Sequence, residues 1–152
     1  MKKNKSFAGY INLKPVNGVI FPSSIQNIMM KDYVNLKLKG KFFLSPTEVL
    51  QAKYSITLNT LMSNNVKVSG IVMLSSFMLP KTYDERLKIY KNSINNRKEL
   101  HFIMDEIIFS STKDIDRVEN QLIFREDFFT KTRFKLSSFE KNLIKKYKNS
   151  FV

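Results

Sequence analysis

Nine polar side chains stand at or near the ends of apolar runs: Lys14, Asn17, Gln26, Ser45, Glu48, Ser75, Ser76, Asp105 and Glu106. The Lys14 ammonium could pair an anionic group. Ser75 and Ser76 could hydrogen-bond hydroxyls, with Asn17, Gln26, Ser45 and Glu48 adding donors and acceptors. Glu106 is the first candidate for general acid or base, and Asp105 the second. A carboxylate partly buried beneath "SSFMLP" would have a raised pKa suited to proton transfer. Such a set could bind a polar or phosphorylated small molecule. Plainer roles compete. Ser45 with Glu48, and Gln26, fit helix caps, Lys14 a solvated loop, and the serines a turn before Pro80.

Familiar chemistries are excluded by composition. The chain has no cysteine and one histidine, which removes disulfides, thiolates and an ordinary zinc site. Its four glycines form neither a phosphate-cradling loop nor a dinucleotide fingerprint. No G-x-S-x-G elbow surrounds either serine. Neither a cofactor nor a metal is expected.

The elements that must position these residues alternate. Strands are read over 7–13, 41–45, 68–75 and 100–104. Helical periods run over 23–36, 47–63, 82–94 and 112–129. Capping-box spacing marks Ser23 with Gln26, Ser45 with Glu48, Thr82 with Glu85, Ser111 with Asp114, and Ser137 with Glu140. Strands alternating with helices predict an α/β fold in three layers, flavodoxin-like. Its mostly parallel four-stranded sheet would run in order 2-1-3-4, with helices on both faces. Ligands of open α/β sheets sit outside the carboxyl ends of the strands, where strand order reverses. That places Lys14, Ser75, Ser76, Asp105 and Glu106 on one rim. His101 lies at the other end and reads as structural.

The net charge is +13. Much of the excess sits at the ends, in Lys2, Lys3, Lys5 and residues 131–152. The lysine bias resembles what an AT-rich genome writes at tolerant surface positions. No apolar run approaches the roughly 20 residues of a membrane span. The basic N-terminus lacks an apolar signal region, so a cytoplasmic protein is expected. Residues 1–130 read as a single domain. Residues 131–152 read as a basic amphipathic helix with Phe139, Leu143, Tyr147 and Phe151 on its stripe. It would dock on the domain, on a second copy in a homodimer, or on the anionic inner membrane as a peripheral contact.

Two resemblances add to this reading. Gly9-Tyr10 on the first strand and Gln26 on the first helix resemble a serine-recombinase (resolvase) catalytic domain. That family follows Gly-Tyr with an arginine and then the nucleophilic serine. Here "INLKP" has neither, and "SSFMLPKTYDER" replaces the family's arginine-rich segment. The resemblance therefore implies the fold without the phosphoryl chemistry. The blocks "LSPTE", "GIVMLSSFMLP", "LHFIMDE" and "DIDRVEN" are similar to the sporadic carbohydrate cluster proteins, over residues 9 to about 127. That resemblance implies a role in lipopolysaccharide O-antigen or capsule synthesis, with a sugar or sugar-phosphate ligand. The alternative is a non-catalytic resolvase-like module that binds nucleic acid or another protein. Sequence-specific nucleic-acid binding is not expected.

Overall fold

The computed structural model describes residues 4–16, 18–49 and 55–124. Five strands form one sheet: β1 (Ser6–Gly9), β2 (Lys41–Phe42), β3 (Gly70–Met73), β4 (Glu99–Phe102) and β5 (Ile107–Phe109). Their order is β2-β1-β3-β4-β5. The first four are parallel, in the order the alternation predicts. β5 is an addition, antiparallel to β4 with Phe102 opposite Ile107.

The helices are α1 (Ser23–Asp32), α2 (Ile56–Met62), α3 (Tyr83–Asn95) and a helical segment over 115–124. A π-helical stretch, Tyr33–Leu38, continues α1 and ends at Lys39 in the left-handed region. The strand registers divide the layers. Gly9, Val72 and His101 are paired neighbours and share one face. Tyr33 approaches His101 Nδ1 at 3.1 Å, so α1 and its continuation cover that face. Ala8, Ile71, Leu100 and Phe109 share the other. Tyr90 of α3 stacks on Phe109 with ring centroids 4.8 Å apart. Asn96, at the end of α3, donates to the Met62 carbonyl, which sets α2 beside α3.

All four residues of β3 are buried. That is why "GIVM" carries no polar alternation: a central parallel strand has helices over both faces. Each fully buried Ile71 or Val72 side chain contributes about 1.5–3 kcal/mol of transfer free energy. Gly9 meets a different demand. A Cβ there would lie 2.6 Å from Ser45 Cβ and 2.9 Å from Met30 Cε, so only glycine lets α1 and the segment after β2 close on β1.

Several boundaries differ from the periodicity. Helix α2 begins at Ile56 rather than residue 47, because Thr47 and Glu48 remain extended beside the loop after β1. β2 is two residues long, although its extended chain continues along β1 through Leu44 and Pro46. α1 has Pro22 at its N-cap, and no side chain caps it. At α3 the expected cap forms, with the Thr82 hydroxyl accepting the Glu85 N–H. Ser111 and Asp114 close a capping box, but around a 3-10 turn, Thr112–Asp114, that precedes the helical segment. The expected helix over 131–152 lies outside the described residues. Among the described residues no helix is long and apolar enough to cross a membrane.

Candidate functional site

The loops after β1 and β3 leave a cleft of about 380 Å³ at the carboxyl ends of the strands. Lys14, Ser76, Lys81 and Arg86 line it with polar groups. Phe77, Leu79 and Leu122 are among its apolar walls.

Asn12 builds the first wall. It is buried, and its backbone N–H donates to Gln26 Oε1 at 3.2 Å. Gln26 Nε2 returns a 2.8 Å bond to the Asn12 carbonyl and another to Phe21. The Asn12 amide donates to the Tyr10 hydroxyl, and Asn12 Oδ1 accepts the Lys14 N–H at 3.0 Å. These bonds fix the loop after β1, and Lys14 follows it into the lining of the cleft. The Lys14 amine makes a 3.4 Å bond to the Leu79 carbonyl. Burial pushes its pKa below the ordinary lysine value, and the neighbouring Lys81 charge pushes the same way. Glu48 and Glu85 oppose both.

Ser75 and Ser76 build the second wall. The Ser75 hydroxyl donates to Asp105 Oδ1 at 3.0 Å, and the Ser76 N–H donates to Asp105 Oδ2 at 2.6 Å. Ser75 Oγ also accepts the Phe77 N–H, capping the 3-10 turn Ser76–Met78. Ser76 Oγ is buried and has no hydrogen-bond partner.

Arg86 forms the third. Its Nε and one terminal nitrogen clasp the two Glu119 oxygens at 2.8 and 2.6 Å. The other terminal nitrogen holds the Pro80 and Lys81 carbonyls. Arg86 therefore braces the cleft while Glu119 neutralises its charge. The Tyr90 hydroxyl donates to the same carboxylate at 2.7 Å. Burial pushes the Glu119 carboxyl up, but the bonds from Arg86 and Tyr90 outweigh it and hold it below its ordinary value.

The nine residues picked out by sequence separate into groups. Lys14 and Ser76 line the cleft, and Ser75 and Asp105 lock its wall. Gln26 lies one shell back, holding Asn12. Ser45 donates to Asn27, on the α1 side. Glu48 accepts the Tyr10 hydroxyl at 2.9 Å and the backbone N–H groups of Thr57 and Leu58, so it caps α2 from outside that helix. Glu106 lies on the same edge as Lys14, exposed in the turn before β5 with φ 54°, and does not line the cleft. Asn17 falls outside the described residues. Asn12, Lys81, Arg86 and Glu119 were not foreseen. Asn12 falls within the expected strand 7–13, Lys81 carries no local signal, and Arg86 and Glu119 meet across 33 residues of sequence. His101, expected at the far end of its strand, is the third of the four residues of β4; it is buried between Tyr33 and Glu99 on the face that α1 covers, away from the cleft. Among the described residues no group of three or more His, Cys, Asp or Glu side chains could hold a metal.

No protein-family model and no curated protein matches this chain. Solved structures do. The N-terminal catalytic domain of TP901-1 integrase matches with a TM-score of 0.57 at 15% identity, covering 91% of this chain and 98% of that one. A resolvase family site-specific recombinase from Streptococcus pneumoniae gives 0.49 at 11% identity, over 95% and 99%. None of these matches supports the sporadic carbohydrate cluster resemblance or a polysaccharide role. The similarity to the integrase domain establishes the fold alone: a mostly parallel α/β sheet of resolvase type.

Proposed function

We propose that this chain is a non-catalytic module of resolvase fold that binds an anionic ligand in the cleft. Lys14 carries the reading: a half-buried amine at the carboxyl ends of the strands, its charge disfavoured by burial and by Lys81. A bound anion would relieve both costs. The chemistry of the resembled family has no support in these residues. A serine nucleophile needs a base within hydrogen-bond reach. Ser75 has the Asp105 carboxylate within reach, but it is fully buried and its oxygen also accepts the Phe77 N–H, so it presents no nucleophile to the cleft; Ser76 Oγ has no partner. The arginine at the cleft is spent on Glu119 and two carbonyls.

Two measurements test this. Supercoiled plasmid incubated with the protein and quenched in detergent should give neither nicks nor a covalent adduct. An adduct would overturn the non-catalytic reading. In an NMR titration at constant ionic strength, phosphate, sulfate or succinate should shift the Ser76, Phe77 and Lys81 amides and leave Asn64, on the opposite edge, in place. Silence of the cleft amides toward every anion would remove the binding reading.

A further inference from the structure

We propose that the cleft takes a small molecule ending in a phosphomonoester, held by the Lys14 and Lys81 amines and the Ser76 hydroxyl. This rests on reading the cleft as an anion site and names the class of its ligand.

The Ser76 hydroxyl points to a missing partner. Ser76 is fully buried, lines the cleft, and carries the unsatisfied buried side-chain oxygen among the described residues. Unmet buried polar groups are costly and uncommon in folded proteins, and a ligand is one way of meeting them. Asp105 fixes the Ser76 backbone beside the cleft, and the hydroxyl must turn about χ1 to meet a ligand there. A hydroxyl so turned donates to an anion oxygen.

Lys14 supplies the charge. An ammonium has three donors, and this one makes one long bond, to Leu79. Two donors remain for ligand oxygens. Lys81 is exposed at the rim and close enough to depress the Lys14 pKa. Two amines and one hydroxyl match a group with three terminal oxygens and close to two negative charges, which a phosphomonoester carries at neutral pH. A carboxylate offers two oxygens and one charge.

The cavity supplies the rest. Its volume of about 380 Å³ exceeds what a bare phosphate fills and falls within the range of small-molecule sites. Phe77, Leu79, Pro80, Leu122 and Ile123 line the remainder, so the body of the ligand would rest on apolar walls. A DNA duplex is a poor fit. Its singly charged diesters require an extended basic track, whereas this cleft has two amines and an arginine already neutralised by Glu119.

Calorimetry on the full chain tests the proposal. The probes are inorganic phosphate, a hexose 1-phosphate, a nucleoside 5′-monophosphate, sulfate, succinate and a short DNA duplex, all at neutral pH and constant ionic strength. One of the two organic monoesters should bind about tenfold tighter than sulfate or succinate, and which one does so assigns the source of the phosphate. Lys14→Met should weaken that binding about tenfold, and Ser76→Ala about threefold, as expected for losing a charged and a neutral hydrogen bond. Lys14→Gln serves if the Met variant is poorly folded, and Lys113→Ala, outside the cleft, should bind normally. Equal binding of all small anions would overturn the phosphomonoester assignment and leave the anion site standing. Full affinity in both cleft variants, or displacement of the monoester by duplex at equal concentration of phosphate groups, would also overturn it. Absence of binding by every probe would remove the anion site as well.

Discussion

Asp105 accepts the Ser75 hydroxyl at 3.0 Å, which ties the turn after β4 to the end of β3 across 30 residues of sequence. The same carboxylate holds the Ser76 N–H at 2.6 Å. Strand end, 3-10 turn and cleft wall thus share one anchor. Asp105→Ala should cost about 1–3 kcal/mol, because it leaves a partly buried hydroxyl and N–H unmet. Ser75→Ala should cost less, about 1 kcal/mol, since the backbone bond to Ser76 survives. Urea denaturation of the two variants checks the order. Equal losses would mean that the Ser76 N–H bond contributes nothing.

Arg86 and Glu119 make a two-point ion pair, each side chain 13% exposed. Removing one partner from such a pair leaves a nearly buried charge, so Arg86→Met should cost about 3 kcal/mol. The pH dependence has a defined sign. The Glu119 pKa is lower in the fold than in the unfolded chain. Its contribution is therefore fully present above the ordinary carboxyl pKa and is lost as pH falls through the depressed folded value. Glu119→Gln should flatten the acid limb of stability against pH. An unchanged acid limb would contradict the pairing.

Glu48 caps α2 through Thr57 and Leu58 although it precedes that helix by several residues. Burial pushes its carboxyl up, but the bonds from Thr57, Tyr10 and Leu58 outweigh it and hold the pKa below its ordinary value. Burial, then the Glu48 charge, pushes the Tyr10 hydroxyl far above its ordinary value. Glu48→Ala should cost about 1–2 kcal/mol, the range of a lost N-terminal cap. Hydrogen exchange should accelerate at Thr57 and Leu58 more than in α3. Uniform acceleration through both helices would place the effect elsewhere.

Lys98 buries its amine against the carbonyls of Leu61, Ser63 and Val66, at 2.7, 2.5 and 2.8 Å. It closes the C-terminal end of α2, where last-turn carbonyls lack helical partners. Lys98→Met should cost about 2–3 kcal/mol through lost charge-assisted bonds. Thermal denaturation checks this, and a neutral substitution would show that water replaces the amine.

Sequence made the parallel core legible for a physical reason. β1, β3 and β4 are apolar runs between helical periods, and Thr82 with Glu85 announces α3 locally. The placement of Lys14 and Ser76 at the carboxyl rim was legible because that rim follows from strand direction alone. β5 was missed because its turn carries no glycine. Glu106 takes the left-handed conformation instead, and three residues are too few to show a period. The start of α2 was misplaced because Ser45-x-x-Glu48 looks like a local cap, whereas the Glu48 carboxylate caps at a distance. Asn12, and Arg86 with Glu119, were invisible because their partners are set by tertiary approach.

In the proposed anion site, Lys14 is the group that pairs the charge. Its amine can be followed directly in protein carrying ¹³Cε-labelled lysine, assigned by the Lys14→Gln variant, by titrating pH with and without a saturating hexose 1-phosphate. Alone, Lys14 should titrate below the other lysines near the surface, because burial and Lys81 disfavour its charge. With the phosphate bound, its pKa should rise, since an adjacent anion favours the ammonium. By linkage, affinity should fall as pH rises through the depressed value of the unliganded amine. A Lys14 that titrates with the surface lysines, and does not move when the phosphate is added, would mean that it pairs no anion in the cleft.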